Sequence, residues 1–261
     1  MTTLEPGVVS IVEDGVLRVT IDRPTSMNAV RVETLDAVAD AFEDHSVDPE
    51  VRVAVLSGAG RAFCTGADLA GLDLYAAPSA ATIDAANRVA DKIRSFPRPV
   101  IGAVRGPAAG VGVSLALACD LTVASESSYF LLAFTRIGLM PDGGATALVA
   151  ASVGRARAMA LALLAERLGA AEALRAGLIA KVYADNEFDA EVEALAWRLA
   201  AGPADAFRRT KEAINDATLG QLDAAFERER AGQLELLAAP DFAEGVDAFQ
   251  NKRPARFGSV A

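Results

Sequence analysis

The chain has 261 residues, enough for one large domain or for one domain with a smaller appendage, and enough to bury a substantial core. Its 35 acidic side chains outnumber its 25 basic ones, and the formal net charge of −10 makes nucleic acids and anionic lipids unfavourable partners. No basic region followed by an apolar stretch occurs near the start, and no run reaches the roughly 18 apolar residues of a membrane span. We therefore expect a cytoplasmic protein with neither a membrane nor a nucleic-acid partner.

The cysteines agree with that compartment. Cys64 and Cys119 match no metal-ligand spacing, so the sequence predicts no metal site. A single pair in a chain of this size is more typical of two small buried hydrophobic residues than of a disulfide.

Strands and helices alternate in the first part of the chain. Apolar alternation on both sides of Glu13–Asp14–Gly15 predicts a β-hairpin, because Asp-Gly is a favoured two-residue turn. Amphipathic helices are predicted in 32–45 and 79–96, strands in 51–58, 99–104 and 120–125, and a loop followed by a helix in 106–118. Two strand–loop–helix units therefore follow one another, each with a glycine-rich turn at the carboxyl end of its strand.

After about residue 185 the strand patterns end and the sequence predicts helices alone. Breaks are expected near Gly202–Pro203, Gly220 and Pro240. We predict an α/β core over residues 1–195 and a helical C-terminal region over residues 196–261.

Several common catalytic motifs are missing. The single histidine, His45, lies on the polar side of a predicted helix end, which argues against Ser–His–Asp and Cys–His mechanisms. Gly110–Val111–Gly112 lacks the third glycine of a dinucleotide fingerprint, and no phosphate-binding G-K-[ST] motif occurs.

Two glycine-rich loops remain, "GAGRAFCTGADL" (58–69) and "GPAAGVGVSLAL" (106–117). Each connects a strand to a helix and offers unpaired backbone N–H groups at the positive end of a helix dipole. Because the two strands are predicted to be neighbours, the loops could present two donors to one developing oxyanion.

The segments "GRAFCTGADL", "GPAAGVGVSLALACD" and "IGLMPDGGAT" resemble, in order and spacing, the signature segments of the crotonase (enoyl-CoA hydratase/isomerase) superfamily. The flanking "IDRPTSMNAV" and "EGVDAFQNKRPARF" are also similar to that family, so the resemblance covers almost the whole chain. It implies a spiral of repeated ββα units, a helical C-terminal region that mediates a homotrimer or a dimer of trimers, and an acyl-CoA thioester substrate. No separate cofactor is implied, since CoA is part of the substrate.

The resemblance also assigns the oxyanion donors. They fall on the backbone N–H groups of Ala67 and Val111, and the family usually has glycine at the latter position. Any residue except proline keeps a peptide N–H, so Val111 retains the donor and narrows the pocket. Asp68 and Leu69, which follow Ala67 in the motif, are further candidate substrate contacts.

Hydratases of this family use two glutamates, and the matching positions here are Ser114 and Phe134. Neither side chain can activate water or protonate carbon. The isomerase branch instead carries Pro-Asp where this chain has Pro141–Asp142, with that aspartate as the single acid/base and often a serine at the Ser114 position. The resemblance therefore favours an enoyl-CoA isomerase with Asp142 as acid/base, in an apolar pocket with Phe134 that raises its pKa.

For the CoA end, the resemblance points to Lys252 and Arg23, while Phe249 is expected in the core. Three alternatives stay open: an enoyl-CoA hydratase of fatty-acid β-oxidation, a dehalogenase-like enzyme with a nucleophilic aspartate, and a non-catalytic acyl-CoA-binding homologue. The dehalogenase route needs a nearby histidine, and His45 is placed elsewhere.

Overall fold

The computed structural model describes residues 7–70 and 77–258. The predicted ranges 1–195 and 196–261 also include 1–6, 71–76 and 259–261, which lie outside the described residues.

The strands are β1 (Val8–Glu13), β2 (Val16–Ile21), β3 (Val53–Gly58), β4 (Val100–Val104), β5 (Pro107–Ala109), β6 (Leu121–Ser125), β7 (Tyr129–Leu131), β8 (Leu168–Gly169) and β9 (Lys181–Tyr183). The helices are α1 (Val32–Asp44), α2 (Ala81–Ser95), α3 (Val111–Ala118), α4 (Ala145–Leu164), α5 (Ala170–Arg175), α6 (Phe188–Ala200), α7 (Ala204–Thr218), α8 (Leu222–Leu237) and α9 (Pro240–Gln250). Short 3-10 helices span Pro24–Ser26 and Ala133–Ile137.

The main sheet has six strands in the order β1-β2-β3-β4-β6-β9. β1 and β2 form the predicted hairpin, and Asp14 and Gly15 have φ angles of 51° and 80°, as a tight two-residue turn requires. The other strand pairs are parallel, so their carboxyl ends meet at one edge of the sheet. That edge is where parallel α/β sheets usually place a ligand.

Both faces of the main sheet are buried, and successive side chains of β3 show it. Ala54 and Leu56 belong to the large core beneath α1, α2 and α3. Val53 and Val55 point to the other face and pack with residues of α6. Such two-sided burial explains the nearly continuous apolar run of this strand.

A second sheet, β5-β7-β8, lies beyond the ends of β4 and β6. β5 follows β4 within a few residues and leads into α3, and β7 follows β6 and leads towards α4. Cys64 pairs with Ala108, which extends the same arrangement to the loop after β3. The chain thus repeats a ββα unit, as the predicted α/β spiral requires.

The C-terminal part is helical as expected, with breaks between α6 and α7, between α7 and α8, and before Pro240. The predicted boundary at residue 195 falls within α6, which is continuous over Phe188–Ala200. This helix packs on the main sheet through Phe188 and Val192.

Helix α4 modifies one expectation from the sequence. Within the described residues it is the one helix that length and composition would allow to cross a membrane. Arg155 and Arg157 interrupt its apolar run in the sequence, and the helix departs from helical geometry at Gly154. Its apolar residues Leu163 and Leu164 are exposed in the single chain.

Candidate active site

The two glycine-rich loops lie against each other. Backbone hydrogen bonds join them: the N–H of Phe63 donates to the carbonyl of Pro107 over 3.1 Å, and the N–H of Ala109 donates to the carbonyl of Cys64 over 2.9 Å. A Cβ at Gly110 would lie only 3.4 Å from the Cα of Gly66. The neighbouring strands β3 and β4 therefore bring the two loops into contact, as their order in the sequence predicts.

The backbone N–H groups of Ala67 and Val111, the predicted oxyanion donors, are both available to a ligand. The N–H of Val30 donates to the carbonyl of Gly66, and the carbonyl of Val30 accepts from the N–H of Asp68, each over 2.9 Å. This pairing leaves the N–H of Ala67, between them, without an acceptor in the described part of the chain. Val111 is the first residue of α3, where a backbone N–H has no acceptor within the helix. Among the described residues, neither N–H has a hydrogen-bond acceptor.

The backbone of Gly110 sets the start of α3. Its φ of 53° and ψ of −130° are accessible almost only to glycine. This residue turns the chain from β5 into α3 and so determines the direction of the next peptide, which carries the Val111 N–H.

Asp142 lies beside α3. The hydroxyl of Ser114 donates to the carbonyl oxygen of Asp142 over 2.6 Å. At Gly143, which has a φ of 64°, a Cβ would lie 3.0 Å from the Cβ of Ser114 and 3.4 Å from Cγ2 of Val111. The tertiary structure thus brings the predicted acid/base next to the loop that carries the second predicted oxyanion donor.

The carboxyl group of Asp142 is nearly enclosed, with 9% of the residue exposed. Its Oδ2 accepts a hydrogen bond from Nε2 of Gln233 over 2.7 Å. The pKa of Asp142 is raised to about 7: burial is the main cause, the hydrogen bond from Gln233 opposes the rise, and the negative charge of Glu229 adds to it. A carboxyl with such a pKa can both accept and return a proton near neutral pH.

Glu229, on α8, caps the start of α4. Its carboxylate accepts hydrogen bonds from the N–H of Gly144 over 2.7 Å, from the N–H of Thr146 over 2.8 Å, and from the Thr146 hydroxyl. The residue is fully buried, and burial raises its pKa. These hydrogen bonds connect α8 to the segment that follows Asp142.

Neither Glu229 nor Gln233 is predicted from the sequence as a functional residue. They lie far along the chain from Asp142, and no local motif marks them. A signal was available, since they follow Leu222 and Phe226 at helical spacing and so interrupt an apolar stripe with buried polar side chains.

The structure pairs two other predicted substrate contacts with each other. Asp68 Oδ2 accepts hydrogen bonds from Arg23 Nη2 and from Arg31 Nε, each 2.9 Å long. Burial alone would raise the pKa of Asp68, but hydrogen bonds from Arg23, the Ala70 N–H and Arg31 bring it below its usual value. Arg23 also donates to the carbonyl of Ala29, so its guanidinium is largely engaged inside the protein.

The remaining candidates spread over two regions. Phe134 is buried in the main core, and Leu69 is partly buried, with its carbonyl accepting a hydrogen bond from Gln250 over 3.1 Å. Lys252 is exposed just after α9. The expectation that Phe249 lies in the core is wrong: it is 60% exposed, because α9 buries its other face, where Gly245 packs against the 3-10 helix Ala133–Ile137.

Comparison with solved structures identifies the class of fold. A crystal structure of an enoyl-CoA hydratase from Mycobacterium avium subsp. paratuberculosis superposes with a TM-score of 0.91 at 52% identity, covering 97% of this chain and 99% of that one. The spiral of ββα units with its helical C-terminal part is thus the crotonase fold.

Sequence comparison agrees. A family model described as enoyl-CoA hydratase/isomerase matches residues 12–260. A probable enoyl-CoA hydratase of Rhodobacter capsulatus is 42% identical over 251 residues, covering 94% of this chain and 95% of the relative. The 1,2-epoxyphenylacetyl-CoA isomerase of Escherichia coli is 36% identical over 255 residues, covering 96% of this chain and 97% of that protein. The chain belongs to the enoyl-CoA hydratase/isomerase family.

Proposed function

We propose that this protein is an enoyl-CoA isomerase that converts a 3-enoyl-CoA into the conjugated 2-enoyl-CoA. The N–H groups of Ala67 and Val111 polarise the thioester carbonyl and stabilise the negative charge that develops on its oxygen. The Asp142 carboxylate removes a proton from C2, which gives a dienolate, and the resulting carboxylic acid returns that proton at C4. The double bond moves and no atom is gained or lost.

The observation that carries this proposal is the environment of Asp142. Its carboxyl is buried, its backbone carbonyl is held by Ser114, and the next residue, Gly143, lies against Val111 and Ser114. Its pKa of about 7 suits a group that takes and returns one proton. The two positions where hydratases of the family carry glutamates hold Ser114 and Phe134 here. One carboxyl suffices for a double-bond shift, whereas addition of water needs a base for water and an acid for carbon.

The test uses the conjugated thioester absorbance. We expect it to grow when the protein is incubated with a 3-enoyl-CoA. Asp142→Asn should lower this rate by about 10²- to 10⁴-fold, because the amide cannot act as a base. Asp216→Asn, on the exposed surface of α7, is the matched control and should keep the rate. Undiminished turnover by Asp142→Asn would exclude Asp142 as the base.

Hydratase activity is the second candidate, supported by the name of the Rhodobacter capsulatus relative. A hydratase would lower the absorbance of crotonyl-CoA, because addition of water removes the conjugated double bond. Binding of an acyl-CoA without change in either absorbance would instead indicate a non-catalytic acyl-CoA-binding protein.

The assembly and the compartment belong to the same proposal. The exposed apolar residues of α4, Met159, Leu163 and Leu164, support a homotrimer or a dimer of trimers, in which such residues would be covered. The net charge of −10 argues against nucleic acid as a partner. The two buried free cysteines, Cys64 and Cys119, support a reducing, cytoplasmic compartment. CoA enters as part of the substrate, without a separate cofactor.

A further inference from the structure

A buried glutamine of the C-terminal helical region reaches the proposed acid/base. Gln233, on α8, is 1% exposed. Its Oε1 accepts a hydrogen bond from the N–H of Met140 over 3.2 Å, and its Nε2 donates to Oδ2 of Asp142 over 2.7 Å. One side chain therefore spans the two ends of the segment Met140–Pro141–Asp142.

The Met140 contact determines which way the amide faces. A backbone N–H can only donate, so the oxygen of the Gln233 amide must lie towards Met140. The NH₂ group is then held towards Asp142, where it can only donate. Oδ2 of Asp142 is thereby occupied, while Oδ1 has no hydrogen-bond partner among the described residues.

Close packing of α8 makes this reach possible. Gly232, next to Gln233, faces Met140, and a Cβ there would lie 2.5 Å from the Met140 sulfur. On the same helix, Glu229 holds the start of α4 through Gly144. Helix α8 is therefore docked on both sides of Asp142.

We propose that Gln233 is a positioning residue for Asp142, which holds Oδ2, leaves Oδ1 to exchange the proton with substrate, and favours the ionised base form of the carboxyl. This inference rests on the proposed isomerase function. A hydrogen bond donated to a carboxylate stabilises its charged form. Gln233 thus counteracts burial and Glu229, the charged side chain that acts on this carboxyl. From α3, the uncharged Ser114 contacts the Asp142 backbone, and Ser114 and Val111 lie against Gly143.

The test compares two substitutions of similar size. Gln233→Met removes both hydrogen bonds, and Gln233→Glu keeps an acceptor for Met140 but places a second carboxyl against Asp142. In the pH profile of kcat/KM, the acidic limb reports the ionisation of the base in the free enzyme. We expect Gln233→Met to move that limb to higher pH by about one pH unit, and Gln233→Glu to move it further.

In the same experiment, the effect of the substitution on kcat should depend on pH, while KM stays constant. At pH 6 we expect kcat of Gln233→Met to fall about tenfold with KM unchanged, and at pH 9 most of it to return. Gln221→Met, an exposed glutamine at the start of the same helix, is the matched control and should leave the profile unmoved. An acidic limb that stays in place in a folded Gln233 variant overturns the proposal.

A second readout is independent of turnover. The ¹³C resonance of the Asp142 carboxyl is assigned by its absence from the spectrum of Asp142→Asn. Its shift with pH gives the titration of this carboxyl directly, in the wild-type protein and in each Gln233 variant. If the wild-type protein converts no 3-enoyl-CoA, the proposed function fails, and this titration still decides whether Gln233 stabilises the carboxylate. A midpoint that Gln233→Glu and Gln233→Met both leave unchanged overturns the inference even when isomerase activity is present.

Discussion

The hydroxyl of Ser114 lies 2.6 Å from the carbonyl oxygen of Asp142. By the family resemblance, Ser114 matches a glutamate position of the hydratases, and here it supports the backbone of the residue proposed as the only acid/base. It is fully buried, so its hydroxyl has no access to bulk water. The residue that the resemblance matches to one hydratase glutamate thus holds the segment of the proposed acid/base in place.

The first prediction concerns that hydrogen bond. Ser114→Ala should lower the free energy of unfolding by about 0.5–1.5 kcal/mol, because it removes a buried hydrogen bond to the Asp142 carbonyl, which then keeps the 3.2 Å bond from the N–H of Ala145. A several-fold fall in kcat should accompany this as the segment loosens. Urea denaturation and the 3-enoyl-CoA assay measure the two effects. Ser152→Ala, on α4, removes a hydroxyl that bonds within its own helix and is the control for stability.

The second prediction concerns the pH dependence of stability. Because burial raises the pKa of Asp142 to about 7 from 3.8, the folded chain holds this proton more tightly than the unfolded chain. The stability from this group is fully present below the unfolded pKa and is lost as pH rises towards 7.

Asp142→Asn removes that loss. We expect this variant to match the wild type near pH 4 and to be more stable at pH 8, by up to about 4 kcal/mol. Denaturation at both pH values gives the comparison, at one protein concentration. A variant that is less stable than the wild type at pH 8 would contradict the raised pKa.

The third prediction separates Glu229 from Gln233. Glu229→Gln removes a negative charge that raises the pKa of Asp142, so the acidic limb of kcat/KM should move to lower pH, opposite to the shift expected for Gln233→Met. The new amide also turns a donor towards one of the N–H groups that Glu229 accepts from, which should cost about 1–3 kcal/mol of stability. Glu235→Gln, exposed on the same helix, should change neither quantity.

The fourth prediction tests the second oxyanion donor. Gly110→Ala forces a side chain into a backbone conformation that costs about 1–3 kcal/mol, and relaxation of that strain displaces the Val111 N–H. We expect kcat to fall by about 10²- to 10³-fold, as for loss of one oxyanion donor. Gly169→Ala is the control, since its Cβ would meet no atom within 4 Å. Equal rates for the two variants would argue against a role for the Val111 N–H.

Local patterns predicted the longer elements up to β6, but not the twenty-residue helix α4. The hairpin, α1, β3, α2, β4, α3 and β6 were all expected, as were the breaks between the C-terminal helices. Strands β5, β7, β8 and β9 were missed, because two or three residues cannot display a period. Their pairing depends on neighbours that only the fold supplies.

The exposure of Phe249 also depends on neighbours that only the fold supplies. Its helical spacing suits a core position, yet the face of α9 that is buried depends on where the 3-10 helix Ala133–Ile137 lies. The same holds for two charged residues. The sequence predicts Arg23 and Asp68 as substrate contacts, and the fold pairs them with each other.

The sequence by itself determined the order of the strand–loop–helix units, the two glycine-rich loops and the Pro141–Asp142 motif, because turns, helical spacing and motifs are local properties of the chain. Only the tertiary structure decided that Glu229 and Gln233 lie against the Asp142 segment. Burial and hydrogen bonds between residues some ninety positions apart set the properties of that carboxyl, and no local pattern encodes which distant side chain will supply them.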